Sequence, residues 1–227
     1  KIGLGIMGFA DLLYRLRVPY DSERALGWAE RVMGFVRERA NTTSITLGAE
    51  RGPFPAWQGS IYGPDGPAYR NATRTTIAPT GTLSLIAGCS SGIEPVYALA
   101  FERRHYLDDD DPNALTRLIE RNPVCRAVGE AEGWWNEELA DHLLHGNPLA
   151  DWDVPEDARR VFVTAHDVAP SWHVRMQATF QQQVDNAVSK TINFPRDAKR
   201  DAVGGAYLLA WREGCKGITV YRDQSKP

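Results

Sequence analysis

Long apolar runs are absent from the 227-residue sequence, and none approaches the roughly 18 residues that a membrane-spanning helix requires. An excess of basic charge is absent too, since 26 lysines and arginines stand against 29 aspartates and glutamates. Sequence-independent binding of nucleic acid depends on such an excess. We therefore expect neither a membrane nor a nucleic acid among the partners of this chain.

The amino-terminal stretch, KIGLGIMGFADLL, has neither an initiator methionine nor a small-residue cleavage site. A signal peptide is therefore not predicted. Because the sequence begins as if within a structural element, we expect the chain to be a piece of a longer protein or one half of a split protein.

Cysteine is scarce. Cys89, Cys125 and Cys215 are widely separated, no C-x-x-C spacing occurs, and the five histidines do not pair with the cysteines at zinc-ligand spacings. This usage is typical of a reducing, cytoplasmic compartment. Each cysteine is predicted to be a small buried apolar residue.

The common phosphate-binding patterns are also missing, since no G-x-x-x-x-G-K-[ST] occurs and no G-x-G-x-x-G follows a strand. In their place, residues 75–95 read TTIAPTGTLSLIAGCSSGIEP, whose glycine- and hydroxyl-rich part directly follows a β-branched strand candidate over residues 73–78. Gly81 permits close approach of a ligand to the backbone, and Thr80, Thr82 and Ser84 add hydroxyl groups. A helix that begins near Thr82 would add its amino-terminal dipole. The pattern alone leaves two readings open, a phosphate-binding turn and an ordinary tight strand-to-helix turn.

Helical spacing of apolar residues predicts a helix over residues 22–40 with Ser22 as its N-cap. Residues 51–71, rich in glycine, proline and aromatic residues, are predicted to be irregular. Further helices are predicted over residues 113–146, with breaks at Asn122-Pro123 and at Gly133, and over residues 155–163 and 171–184.

The last third of the chain predicts a strand over residues 187–194, a helix over residues 195–214 that Gly214 caps, and a strand over residues 215–221. A strand, a helix and a strand joined tightly form a βαβ unit, so the two strands should be parallel. Parallel strands need cover on both faces. The predicted class is therefore α/β, with either a doubly covered sheet or a barrel wall.

Several other polar groups are candidates for chemistry. Residues 108–111 are four consecutive aspartates, for which a solvated loop is predicted and a divalent-cation site is the alternative. His142 and His145 lie one helical turn apart, as either a surface pair or a metal site. Glu94 is either a structural cap or a functional carboxylate. An unusual number of polar residues crowds one predicted helix-to-strand junction: Asp185, Asn186, Ser189, Lys190 and Asn193.

Three stretches occur in an order that resembles one known family: TTIAPTGTLSLIAGCSSGIEPVYALAF, QQQVDNAVSKTINFP and AWREGCKGITVYRDQS. Together they closely resemble the large subunit of adenosylcobalamin-dependent (class II) ribonucleotide reductases, as do KIGLGIMGFADLL and YDSERAL. Only about residues 102–165 carry no such likeness. The resemblance implies a ten-stranded α/β barrel with parallel strands and flanking helices. Residues 1–227 would form a single partial barrel domain, the carboxy-terminal portion of that barrel.

The resemblance also implies a site. In this family the loop that matches APTGT binds the substrate's phosphates through amides and hydroxyls, and the matching residues here are Ala78, Pro79, Thr80, Gly81 and Thr82, with Leu83 and Ser84 at the margin. The motifs for the radical cysteine, its neighbouring Asn and Glu, and the redox cysteine pairs find no match. We therefore assign no catalytic residue and no metal ligand within this chain, and neither Cys89 nor Cys215 is given a catalytic role.

The class of ribonucleotide reductase that the sequence resembles implies the cofactor. Class I enzymes use a tyrosine pair near the final strand, whereas ITVYRD holds the single Tyr221 and resembles the cobalamin class. Adenosylcobalamin is thus implied for the assembled enzyme. It would convert ribonucleoside di- or triphosphates to their 2′-deoxy forms through a thiyl radical.

The implied partners are a ribonucleotide, a thioredoxin-type reductant, and an N-terminal portion or companion subunit that carries the radical cysteine. Two alternatives remain. One is a non-catalytic partner half or barrel remnant that binds a nucleotide or scaffolds the catalytic half. The other is an unrelated phosphate-binding α/β enzyme.

Overall fold

The strands in the carboxy-terminal third of the protein pair in parallel. A computed structural model describes residues 1–106 and 115–223 of the protein. The described elements, in chain order, are helices α1 Phe9–Arg15, α2 Glu23–Arg51 and α3 Gly81–Ala87, strands β1 Ala100–Tyr106 and β2 Leu115–Arg121, helices α4 Pro123–Glu132, α5 Glu137–Leu144, α6 Glu156–Val161 and α7 Pro170–Gln181, strand β3 Thr191–Phe194, helix α8 Arg200–Arg212 and strand β4 Thr219–Arg222.

The predicted βαβ unit is confirmed. Strands β3 and β4 pair in parallel, with Thr191 opposite Thr219, and α8 connects them. The predicted strand over residues 73–78 is an extended segment held by isolated parallel bridges, Leu4 to Thr75 and Ile77 to Val188. Four extended segments therefore lie side by side in the order 2–4, 75–77, 188–194 and 219–222.

Side chains on β3 alternate between two environments. Ile192 and Phe194 are buried in a cluster with Ala206 and Ala210 of α8. Because successive strand residues point to opposite faces, Thr191 and its i+2 neighbour project away from that helix. The sheet thus has one face covered by a helix and one face turned toward a cavity.

Helix α2 begins where the sequence predicts, since the Ser22 hydroxyl accepts a hydrogen bond from the Ala25 amide at 3.2 Å. It runs to Arg51, well past the predicted end at residue 40. In the added turns Ser44 and Gly48 are buried, and the Ser44 carbonyl accepts the Arg70 amide at 2.9 Å. Contact with residues 68–71 therefore extends the helix beyond its apolar stripe.

The helix predicted over residues 113–146 is wrong at its start. Residues 115–121 form β2, which pairs antiparallel with β1, while residues 113–114 and the four aspartates lie outside the described residues. Cross-strand pairing, including an Arg103–Glu120 ion pair at 2.7 Å, outweighs the helical spacing of the apolar residues. The two predicted breaks are confirmed, because Asn122 caps α4 and Gly133 ends it at φ 80°.

Two further cores support the site. Helices α1, α2 and α7 pack around Ile77, and the rings of Phe9 and Phe180 meet edge to face at 5.1 Å. The hairpin and helices α4–α6 form the second core around Phe162 and Leu139. No helix among residues 1–106 and 115–223 combines the length and apolar character needed to cross a membrane.

Candidate functional site

A cavity of about 1030 Å³ lies against the uncovered face of the sheet. Thr191 and Asn193, at alternating positions of β3, line one side together with the consecutive residues Thr219, Val220 and Tyr221 of β4. The glycine- and serine-rich segment after residue 77 forms a second side, and the β1–β2 hairpin forms a third. Three parts of the chain therefore enclose the cavity, and each of them contributes polar side chains to its wall.

The turn over residues 78–82 lies at the edge of this cavity. Ala78, Pro79, Gly81 and Thr82 are exposed, Thr80 is half-buried, and Gly81 lines the cavity wall. Helix α3 starts at Gly81, one residue before the predicted start.

Among the described residues, no acceptor lies within hydrogen-bond range of the first amides of α3, those of Gly81, Thr82 and Leu83. These amides are the groups that a helix start leaves without intrahelical partners.

Thr80 has a structural role that the sequence did not predict. Its backbone is left-handed, with φ 55°, and its hydroxyl accepts the Gly92 amide at 2.7 Å. The Ser91 hydroxyl donates to the Pro79 carbonyl. The turn is thereby braced across the segment, whereas no partner for the Thr82 hydroxyl lies in the described part of the chain.

Asp11 fixes the far end of α3. Its carboxylate accepts the Ser90 amide at 2.6 Å, and its own amide donates to the Ser90 hydroxyl at 3.3 Å. Next to it, Cys89 lines the cavity. Burial, with Asp11 adding to it, raises the pKa of this thiol, so the group stays protonated.

A buried charge cluster lies beneath the cavity. The Lys190 ammonium donates to the Glu94 carboxylate, to Nδ1 of His173 at 2.8 Å and to the Thr191 carbonyl at 2.7 Å. The second oxygen of Glu94 accepts the Thr191 amide at 2.6 Å. Glu94 and Thr191 also line the cavity, so this cluster connects the cavity wall to the interior.

Burial sets the charge states of this cluster. Desolvation, together with the neighbouring Lys190, lowers the pKa of His173 to about 3, which keeps the imidazole neutral. Burial also lowers the pKa of Lys190, while Glu94 opposes that shift. Since Nε2 of His173 lies 3.1 Å from the Ala165 carbonyl, that nitrogen carries the proton and Nδ1 accepts from Lys190.

Of the remaining sequence candidates that the structure describes, only Asn193 lines the cavity. His142 contacts the Pro148 carbonyl and His145 the Asp141 carbonyl. Within residues 1–106 and 115–223, no cluster of three metal-ligating side chains is found. Asp185 binds Arg74 at 2.9 Å on the opposite end of the strands.

The two remaining cysteines have raised pKa values because they are desolvated. Burial raises the pKa of Cys125 to about 12 and that of Cys215 to about 11. All three cysteines are free. The prediction of a buried residue is confirmed for Cys125, whereas Cys89 and Cys215 are half-buried. The raised pKa values are not those of thiolate nucleophiles.

Sequence reasoning missed His173, Asp11 and the cavity-facing hairpin residues Arg103 and Arg121. His173 is a lone histidine on an otherwise ordinary helix, and Asp11 is the acidic residue of an apolar one. No spacing rule marks either of them. Their partners lie 17 and 79 residues away, which is why only the folded chain shows them.

The chain matches the family model for the ribonucleotide reductase barrel domain over residues 1–67 and 64–221. It is 49% identical over 226 residues to a vitamin B12-dependent ribonucleoside-diphosphate reductase of Thermoplasma acidophilum, covering 100% of this chain and 28% of that protein. The reductase of the same description from Mycobacterium tuberculosis strain H37Rv is 43% identical over 231 residues, covering 100% of this chain and 31% of that protein. The chain thus spans about three tenths of the length of these relatives.

Among solved structures, the alpha subunit of a class Id ribonucleotide reductase from Actinobacillus ureae superposes with a TM-score of 0.81 at 21% identity. The superposition covers 98% of this chain and 39% of that one. This likeness confirms the α/β barrel class, while the count of ten strands stays a prediction. From its sequence and its fold, the chain belongs to the ribonucleotide reductase barrel-domain family.

Proposed function

We propose that the chain is part of a ribonucleotide reductase that converts ribonucleotides to 2′-deoxyribonucleotides by a cobalamin-initiated thiyl radical mechanism. Its own part is to bind the substrate's phosphates and to complete the barrel wall. The names of the similar B12-dependent reductases support the activity. The observation that carries the local role is the set of unpaired amides of Gly81, Thr82 and Leu83 at the cavity edge.

Phosphate suits these amides for two reasons. Successive N–H groups at the start of a helix form a concave donor surface, and the helix dipole adds partial positive charge there. In this proposal Ala78, Pro79, Thr80, Gly81 and Thr82 form the phosphate site. Thr80 braces the turn, while Thr82 offers its hydroxyl to the ligand.

The charges around the cavity are compatible with an anionic ligand. Of the carboxylates on its wall, Glu94 pairs with Lys190, Glu120 pairs with Arg103, and Asp11 accepts the Ser90 amide. Arg103 and Arg121 line the opposite side. A phosphate therefore meets paired carboxylates rather than free ones.

The radical chemistry is assigned to other parts of the enzyme. Adenosylcobalamin would supply the initiating radical, but the described residues hold no cluster of metal-ligating side chains. We assign no residue of this chain to the cofactor and derive no step through it. Cys89, Cys125 and Cys215 match none of the family's cysteine motifs, which likewise favours a radical cysteine outside this chain.

A covering partner is part of the proposal. Helix α3 presents Leu83, Leu85 and Ile86 outward, with 61%, 54% and 80% of each exposed. Such an apolar face beside the cavity suits contact with the portion or companion subunit that carries the radical cysteine. A thioredoxin-type reductant and a cytoplasmic location complete the proposal, and the free cysteines support the latter.

The phosphate site is tested by Thr82→Val in the complete reductase. Since a hydrogen bond to a charged group contributes about 1.5–3 kcal/mol, the KM for the ribonucleotide should rise by at least about tenfold. Thr46→Val, at an exposed threonine of α2, is the matched control. An unchanged KM in the Thr82 variant would argue against phosphate binding by this turn.

The assignment of the radical chemistry is tested with the chain alone. Purified residues 1–227 should form no deoxyribonucleotide, because no residue here is assigned the radical step. Formation of deoxyribonucleotide by the isolated chain would contradict the division of labour.

A further inference from the structure

The glycine- and serine-rich segment leaves the sheet and returns to it at the same strand. At its start, Ile77 bridges Val188, and the Ser189 amide donates to the Ile77 carbonyl at 2.9 Å. At its end, Glu94 holds the Thr191 amide and the Lys190 ammonium. We name residues 78–94 the anchored segment, because both of its ends are fixed within residues 188–191.

Three side chains fix the returning end, and we name Glu94, Lys190 and His173 the buried clamp. The side chain of Lys190 is 0% exposed, and its three protons have three acceptors. Both oxygens of Glu94 are hydrogen-bonded. Every polar group that faces the ammonium therefore contributes to one fixed geometry.

Stability alone does not account for the buried clamp. Apolar residues of similar volume often replace buried ion pairs without loss of stability, because desolvation of the charges offsets their attraction. The ion pair instead specifies the position of Glu94 relative to β3. A charge that is this deeply buried has one arrangement in which all of its bonds are made.

We propose that Lys190 and His173 are positioning residues for the anchored segment. By holding Glu94 against β3, they fix the segment's returning end and so hold the amides of Gly81, Thr82 and Leu83 toward the cavity. The consequence for substrate affinity rests on the phosphate site proposed above, whereas the positioning itself does not.

The chain contains a matched control at the other end of the same strands. Arg74 is buried and pairs with Asp185 at 2.9 Å, with side-chain exposures of 3% and 18%. This pair ties residue 74 to residue 185, which precedes the extended segment 188–194. It makes no contact with the anchored segment among the bonds of the described residues.

Amide hydrogen exchange of the protein without substrate tests the positioning. In Lys190→Met/Glu94→Gln, the hydrogen-bonded amides of residues 78–94, such as those of Ser84, Gly92 and Glu94, should exchange at least about tenfold faster, because bonds to charged groups are lost. Those of α8 should exchange at the original rate. The control Arg74→Met/Asp185→Asn should speed exchange near residues 71–76 and leave residues 78–94 unchanged.

Unchanged exchange over residues 78–94, or equal acceleration there and in α8, would overturn the proposal. Should the double variant not fold, Glu94→Gln is measured in the same way, with a smaller acceleration confined to the same residues expected. A faster-exchanging segment with an unchanged ribonucleotide KM in the complete reductase would leave the clamp standing and contradict the phosphate site instead.

Discussion

Individual polar residues in this chain are fixed by partners far away in the sequence. His173 contacts Lys190 on one ring nitrogen and the Ala165 carbonyl on the other. Tyr20 lies beside the imidazole at 6.5 Å between ring centroids. A protonated imidazole here would face an ammonium in a site that excludes water, so the neutral form is a condition of folding.

This condition predicts that the stability difference between the wild type and His173→Asn depends on pH. The side-chain oxygen of the asparagine keeps an acceptor toward Lys190. The pKa of His173 is lower in the folded protein than in the unfolded chain. The stability that depends on the neutral imidazole is therefore fully present above the unfolded pKa of about 6.5 and is lost as pH falls toward the folded pKa. Relative to the variant, the wild type should lose about 2 kcal/mol between pH 7.5 and pH 5.

Urea unfolding of both proteins at both pH values measures this difference. Lys190, Glu94, Tyr20 and His166 are the titratable groups near the ring, and all are common to the two proteins. An equal stability difference at both pH values would contradict a neutral His173.

A second prediction at the residue scale separates the two threonines of the phosphate turn. Thr80→Val leaves the buried Gly92 amide without its acceptor and should lower the free energy of unfolding by about 1–3 kcal/mol. Thr82→Val removes no bond of the described residues and should change that free energy by less than about 0.5 kcal/mol. Chemical denaturation of the chain measures both, and equal losses would contradict the bracing role of Thr80.

At the scale of elements, local spacing predicted the helices well and the hairpin badly. The caps Ser22 and Asn122 state where a helix begins, because capping is decided within a few residues of sequence. In β2, Leu118 and Ile119 fit helical spacing, yet β1 lies opposite and supplies the backbone partners. Pairing of that kind depends on a second segment, which a single window of sequence does not contain.

Helix α2 offers a prediction with an internal control, since two of its glycines differ in surroundings. A methyl group on Gly48 would lie 1.8 Å from the Ala68 carbonyl oxygen, whereas none of the described atoms lies within 4 Å of one on Gly27. Alanine stabilises a helix interior relative to glycine, so Gly27→Ala should raise the free energy of unfolding by about 0.5–1 kcal/mol. Gly48→Ala should lower it by about 1–3 kcal/mol, because the loop must move away.

Thermal or urea unfolding of the two variants decides the outcome. Stabilisation of both variants would contradict the close packing of residues 68–71 on α2.

At the scale of the molecule, the chain presents an apolar face that none of its described residues covers. Ile86 on α3 is 80% exposed. Ile86→Lys should leave the stability of residues 1–227 within about 0.5 kcal/mol of its original value, because the side chain is not packed there. In the complete reductase the same change should lower the thermal midpoint, because the proposed covering portion then meets a charge.

Ile61→Lys is the matched control, at a residue that is 93% exposed and belongs to the irregular loop after α2. It should affect neither the chain nor the complete reductase. Equal effects of the two changes on the complete reductase would contradict a covered α3.

The candidate site was only partly predictable for the same reason as the fold. Glu94 and Lys190 each stood out in the sequence as polar groups in unusual surroundings. Their pairing spans 96 residues, and nothing local connects them. By contrast, the turn around Gly81 was predictable, because a strand, a glycine and a helix start follow one another within a few residues.

The chain departs from the sheet beside Val188 and rejoins it beside Thr191. The two points stay neighbours whatever the number of residues between them, and the entropy of closing such an excursion grows only slowly with its length. Insertions, deletions and replacements within the excursion therefore leave the spacing of the flanking strands unchanged. The segment of such a barrel can therefore change to bind ligands of different size while the arrangement of the strands is conserved.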